Sequence, residues 1–233
     1  MNENNAIVPV PKLEDDSYDF YERHAAVLAC KDKINPQAIV IGDSITHHWG
    51  GSPFSRGFEP TGQVSFDTTF ANIRALNLGF GFDRTQNAIW RLQNGEVDGL
   101  RPSLAVVNIG TNNLRATAHA RENTASEICA GVEQVCLELE KRCPGVRIVV
   151  MCVFPRGRNP DDPLRLKTVA VNEKLVPMTA RHGYRCINIG SLLLNLAGEL
   201  TEEISPDGTH LTAKGYEIWG NVIRPLAAAV CRG

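Results

Sequence analysis

AIVIGDSITHHW, residues 38–49, sets four apolar residues in a row before Gly42, Asp43 and Ser44, then closes on two histidines and Trp49. A short, continuous apolar run of this kind reads as a parallel strand covered on both faces. Four further segments repeat the pattern: RALNLG (74–79), LAVVNIG (104–110), RIVVMCVF (147–154) and the weaker RCINIG (185–190). Helical patterns fall between them at 84–94, 121–142 and 164–182, and a last one runs over 212–230. Strand and helix in alternation predict an α/β fold, an open three-layer α/β/α sandwich around a five-stranded parallel sheet, since five strands are too few for a barrel. Ligands bind such sheets at the carboxyl ends of the strands, so function is sought just after each strand.

Upstream of the first strand lies a proline-punctuated lead-in. It is followed by a helix in DDSYDFYERHAAVLACKDKIN (15–35), acidic at its start and basic at its end as its dipole prefers. Residues 1–35 are read as packing on one domain spanning 36–233. The chain's 233 residues, 43% hydrophobic and 21% charged, suit one core and not two. A net charge of -2 and a pI near 6.3 leave no basic footprint for nucleic acid or an anionic membrane, and the densest basic cluster is the four-residue PRGR at 155–158. The N-terminus lacks a signal-peptide pattern, and no apolar run reaches the ~18 residues of a bilayer span, so a cytoplasmic protein without a membrane partner is expected. Seven cysteines, an odd number, agree with a reducing compartment. Cys129, Cys136 and Cys143 share a helical stripe with Ile128, Val132, Val135 and Leu139 and read as core, not as a metal or redox device.

The strand ends carry the chemistry. Ser44 follows the first strand, and a serine becomes a nucleophile only if a base and an orienting acid reach it. The segment ISPDGTHLTAKGYEIW (204–219) offers both: Asp207 and His210 are three residues apart in a turn flanked by Pro206 and Gly208. At that spacing one carboxylate can hold Nδ1–H of the imidazole and leave Nε2 facing outward. The third strand ends in NIGTNNLR, where the Asn112 amide can donate to a tetrahedral oxyanion, with Asn113 as a structural partner. After the second strand, Asp83 followed by Gln86 reads as a cap. That starts a helix at Arg84 and brings the N–H groups around residue 82 to its positive end. Asp43, Gly81 and Trp49 adjoin these motifs as candidate substrate contacts, and His47 and His48 read as a polar loop edge.

GDS after the first strand, a glycine-rich turn after the second, GTNN after the third and DGTHL near the C-terminus resemble, in order, the four sequence blocks of the GDSL/SGNH hydrolases. NLGFGFDRTQNAIWRLQNGE and FPRGRNPDDPLRLKTVAVNEKL further resemble the branch holding platelet-activating-factor acetylhydrolase catalytic subunits and bacterial acylesterases. The resemblance implies a flavodoxin-like SGNH hydrolase fold and an acyl-enzyme mechanism without cofactor or metal. It implies Ser44 as nucleophile, His210 as general base and acid, and Asp207 as its orienting carboxylate. Oxyanion donors would come from the Ser44 N–H, residue 82 and Asn112. It implies a small-molecule ester as partner and leaves a homodimer open.

Residue 82 is Phe82 where the family has glycine. Its backbone N–H survives the replacement, and Asn87 at the staple position gives the ring no apolar partner. The ring is therefore expected to border the mouth and limit the acyl group to a short one such as acetyl. For the alcohol part, an O-acetylated carbohydrate or other small polar ester is the first expectation, and a phospholipid acetylhydrolase or broad acylhydrolase the alternative. An α/β-hydrolase elbow is excluded because no second glycine follows Ser44. A metal-dependent phosphoesterase built on Asp43, His47, His48, Asn112 and His210 remains a rival enzyme, and an inactive binding module a third reading.

Overall fold

The computed structural model describes residues 3–56 and 58–230; Cys231 lies outside them. The helix of the N-terminal region is α1 (Phe20–Ile34), opened by the Asp19 side chain accepting from the Glu22 N–H and closed by left-handed Asn35. Five strands follow in the expected order: β1 (Ala38–Gly42), β2 (Ala75–Gly79), β3 (Leu104–Asn108), β4 (Arg147–Met151) and β5 (Arg185–Ile187). All adjacent pairs are parallel, in spatial order β2-β1-β3-β4-β5. Strands β3, β4 and β5 end before their sequence patterns do, because the residues that follow leave the ladder to form loops at the sheet's carboxyl end.

Helices α4 (Thr85–Gln93), α5 (Ala125–Arg142) and α6 (Pro163–His182) join α1 on one face, where Ile39, Ile41, Leu76, Leu78, Val107 and Val150 point. The other face, with Val40, Val106, Val149 and Met151, is covered by α3 (Gln63–Thr69), the short α7 (Gly190–Leu193) and α8 (Ala213–Val230). Two buried faces on one sheet explain why the strands lack polar alternation. Cys129, Cys136 and Cys143 are buried in α5 and its C-cap, as the stripe predicted.

The remaining helix, α2 (Ser44–His47), is separated from the end of β1 by Asp43 alone. It sits close on the sheet because Gly42 has no side chain: a Cβ there would lie 2.1 Å from Thr46 Oγ1 and 2.3 Å from the Asn108 carbonyl. The order reverses beside β1: the connection from β1 to β2 crosses one face through α3 and the connection from β2 to β3 crosses the other through α4, so the crevice outside Gly42 and Asn108 is the switch point where open α/β sheets place ligands. The N-terminal segment runs over this end of the molecule. Ala6 O accepts from Thr85 Oγ1 at 2.7 Å, Pro11 O from Asn87 Nδ2 at 2.5 Å, and the Tyr18 hydroxyl donates to Gly81 O at 3.2 Å.

Candidate active site

Ser44 is the first residue of α2, held there by Asp43, whose Oδ1 caps the helix by accepting from the Ile45 N–H at 3.0 Å. Asp43 is buried, its carboxylate committed to the cap of α2, where its reading as a contact needs an exposed side chain. Burial pushes its carboxyl up to about 7, against the pull of the Ile45 bond. From the far end of the chain, the turn before α8 delivers His210 so that its Nε2 lies 2.9 Å from Ser44 Oγ. His210 Nδ1 lies 2.6 Å from Asp207 Oδ2, while Asp207 Oδ1 accepts the N–H groups of Thr209 (2.9 Å) and His210 (2.8 Å). Burial raises the Asp207 carboxyl, but these bonds outweigh it and hold the group below its ordinary value. Residues 166 positions apart thus form one continuous chain of side-chain contacts.

After β3, residues Thr111–Leu114 form a single 3-10 turn. Asn112 Nδ2 donates to Asp83 O at 3.0 Å, which orients the amide and commits one of its two hydrogens. Asn113 is buried and ties this turn to α4 and to the segment before α5, donating to Gln86 Oε1 and Asn123 Oδ1 and accepting from the Thr85 N–H. It is the structural partner anticipated for Asn112.

The turn after β2 departs from its sequence reading. Helix α4 starts at Thr85 and not at Arg84, whose N–H is accepted by Asn87 Oδ1 at 2.8 Å. Asp83 does not cap the helix: it is buried against Arg91, with 2.8 Å from Oδ2 to Nε. The Asp83 N–H closes a tight turn onto Phe80 O at 3.2 Å, and Phe82 occupies its third position with φ +59°. That left-handed conformation is the one a glycine would adopt freely and a bulky residue rarely takes. The backbone therefore follows the glycine path, while the Phe82 ring remains 47% exposed. Gly81 lies buried beneath Tyr18, so it is not a substrate contact.

Trp49 is also withdrawn as a contact. Fully buried, it stacks on Trp219 at 3.9 Å and donates from Nε1 to Ser65 Oγ at 3.1 Å. His47 is no loop edge: it ends α2, stacks on Phe58 at 3.7 Å and shares a 3.1 Å hydrogen bond with Ser55 Oγ. Burial, with Arg23 nearby, lowers its pKa. His48 lies edge-on to His210, ring centroids 5.5 Å apart, and borders the proton-transfer pair. Burial and the charge of His210 lower its pKa too. Asp43, His47, His48, Asn112 and His210 do not gather around a point, and among the described residues no three His, Cys, Asp or Glu side chains could hold a metal ion.

Beneath the turn lies a charged floor that sequence reasoning missed. Arg91, fully buried in α4, pairs with Asp83 and with Glu96 (2.5 Å) and donates to Leu78 O at 3.1 Å. Burial pulls its guanidinium down, yet Glu96 and Asp83 outweigh that and leave it above its ordinary value. Arg23 of α1 donates to Gly79 O (2.8 Å) and Asn77 O (3.2 Å), and Phe80 lies between the two guanidinium groups, 5.0 and 4.0 Å from its ring centre. The only sequence signal is one acid eight residues before Arg91 and another five residues after it, a spacing that matches no helical face and is too weak to find the pair in advance.

Residues 40–218 match the model of the GDSL-like lipase/acylhydrolase family. The chain belongs to this family. It is an ester hydrolase, similar over 226 residues and at 30% identity to the platelet-activating factor acetylhydrolase IB subunit alpha2 of Rattus norvegicus, with 96% of this chain and 89% of that protein covered. The fold is shared with a GDSL-like lipase from Bacteroides thetaiotaomicron (TM-score 0.69, 16% identity, 90% of this chain and 97% of that one). It is shared also with Est24, a carbohydrate acetylesterase from Sinorhizobium meliloti (TM-score 0.62, 17% identity, 82% and 98%). The first and last of the family's blocks meet in the Ser44–His210 contact, and the second and third in the bond from Asn112 to Asp83 O. No helix among the described residues is long and apolar enough to cross a membrane.

Proposed function

We propose that the protein is a serine esterase that hydrolyses short-chain esters, acetyl esters first, through an acyl-enzyme on Ser44. The observation that carries this reading is the Asp207–His210–Ser44 relay, 2.6 and 2.9 Å long, at the mouth of the switch-point crevice. His210 Nε2 accepts the Ser44 proton as Oγ attacks the carbonyl carbon, then returns it to the departing alcohol. Asp207 stays ionised because its bonds hold it below the ordinary carboxylate range, so it fixes the imidazole tautomer and stabilises the imidazolium. The Ser44 and Phe82 N–H groups and the uncommitted Asn112 hydrogen serve as oxyanion donors. Water then attacks the acyl-enzyme by the same relay run in reverse.

Phe82 limits the acyl group: its backbone takes the left-handed path of a glycine, and the residue stays 47% exposed. The alcohol part is a small polar one, such as a sugar hydroxyl, in keeping with the carbohydrate acetylesterase that shares the fold. A phospholipid acetylhydrolase is the second reading, favoured by the relatives at 30% identity. The protein should cleave p-nitrophenyl acetate and be indifferent to chelators, and Ser44→Ala should abolish turnover. Full activity in Ser44→Ala would overturn the reading. Acetylated sugars assayed against short-chain phospholipid analogues decide between the two substrate classes.

A further inference from the structure

The turn that carries Asn112 and the turn that carries Asp207 and His210 reach the site from separate parts of the chain. A third segment, PRGR at 155–158, follows β4 and is bonded to both. On one side, Arg156 Nη1 donates to Thr111 O at 2.7 Å, with Thr111 Oγ1 at 3.4 Å, and Thr111 directly precedes Asn112. On the other, the Gly157 N–H donates to Gly208 O at 2.9 Å, and Arg158 donates from Nη2 to Pro206 O at 2.5 Å and from Nη1 to Ser205 O at 3.4 Å. These carbonyls flank Asp207 on both sides.

The segment is itself anchored. Gly157 O accepts from Arg165 Nη2 of α6 at 2.7 Å. Gly157 has φ +83°, and a Cβ there would lie 2.2 Å from Asp162 Cγ, so the chain passes a point that only glycine can occupy. A planar guanidinium holds a carbonyl with directional, charge-assisted bonds that a lysine cannot reproduce.

We propose that Arg156 and Arg158 are positioning residues: Arg156 sets the Asn112 amide through Thr111, Arg158 sets the acid–base turn through Pro206, and PRGR fixes the span between them. The inference rests on Asn112 being an oxyanion donor, as proposed above. Rate is sensitive to that span, since a misplacement of about 1 Å can cost about 10²-fold. Neither arginine touches the reacting atoms on this account; each acts through the backbone it holds.

The test is a double-mutant cycle on p-nitrophenyl acetate hydrolysis. Arg156→Ala is expected to lower kcat about 10²-fold with KM nearly unchanged, and Asn112→Ala to lower it about 10²- to 10³-fold. The double variant should then be no more than about threefold worse than Asn112→Ala alone, because the positioned donor is already gone. Arg158→Ala should displace the acid limb of the kcat/KM–pH profile, which Arg156→Ala leaves in place. Should Arg156→Ala not fold, Arg156→Lys, checked by circular dichroism, takes its place in the cycle with a smaller loss and the same non-additivity. Losses that multiply, or an unmoved acid limb in Arg158→Ala, would overturn the bridge while leaving the oxyanion reading intact. Wild-type kcat in Asn112→Ala would instead remove the oxyanion reading, and the Arg156 arm with it.

Discussion

The two halves of the site are built from the same kinds of bond in opposite surroundings. Asp207 and His210 have half-open side chains, 50% and 39% exposed, with the Asp207 carboxylate bonded within its own turn. The Phe80–Asp83 turn rests on Arg91, Asp83 and Glu96, a charge group with almost no solvent exposure that is tied to the end of β2 through Leu78 O. The contrast follows the chemistry. On the proposed mechanism the Phe82 N–H is a donor to a developing oxyanion; such donors must be preorganised, and a low-dielectric floor would keep this one so. A proton relay, by contrast, must admit water to release the acyl group.

Substitutions in the two halves should therefore fail differently. The largest effect is expected from Asp207→Asn. Asparagine keeps the Oδ1 acceptor for the Thr209 and His210 N–H groups but turns an amide donor toward Nδ1, so kcat should fall by roughly 10⁴-fold. The denaturation midpoint should hardly move. Large unfolding in that variant would show the exposed turn to be structural as well as chemical.

Arg91→Met should do the reverse. It leaves Asp83 buried without its cation and Glu96 with His24 alone, 2.8 Å away, and removal of one partner of a buried pair costs about 3–5 kcal/mol. Urea denaturation measures the loss; a variant as stable as the wild type would refute the floor. Asp43→Asn sharpens the comparison through pH. A carboxyl that binds its proton more tightly folded than unfolded weakens the fold as pH rises from the ordinary carboxylate value, near 4, to about 7, and no further beyond it. Wild-type stability should decline across that window, and the isosteric Asp43→Asn variant, which keeps the Ile45 cap, should show a flatter profile.

The last and smallest of these effects comes from Phe82→Gly, which should change stability only modestly. Release of a left-handed phenylalanine is worth about 1–2 kcal/mol, largely offset by about 0.4–1 kcal/mol of added chain entropy in the unfolded state. Its signature is selectivity: the preference for acetyl over octanoyl esters should shrink. An unchanged ratio would dismiss the ring as the acyl gauge.

Most of the frame was legible because it depends on local pattern. Largely apolar runs marked the five strands, and two of the stretches singled out, just beyond β1 and just before α8, are the ones whose Ser44 and His210 meet. What escaped notice depends on partners distant in sequence. Trp49 next to a reactive serine reads as a substrate surface until Trp219 is found stacked on it. Asp83 reads as a helix cap because the alternative, an ion pair with Arg91, requires an arginine to be buried, which the general exposure of arginine argues against. PRGR reads in the sequence as a basic cluster too short to serve nucleic acid; its bonds to two turns come from the fold alone.

The most direct test of the relay is covalent labelling with a fluorophosphonate, followed by peptide mass spectrometry. A single adduct should form on the peptide bearing Ser44, slow sharply in the His210→Ala protein and vanish in Ser44→Ala. An adduct on another residue, or labelling of Ser44 at full rate without His210, would contradict a histidine-activated serine at the end of β1.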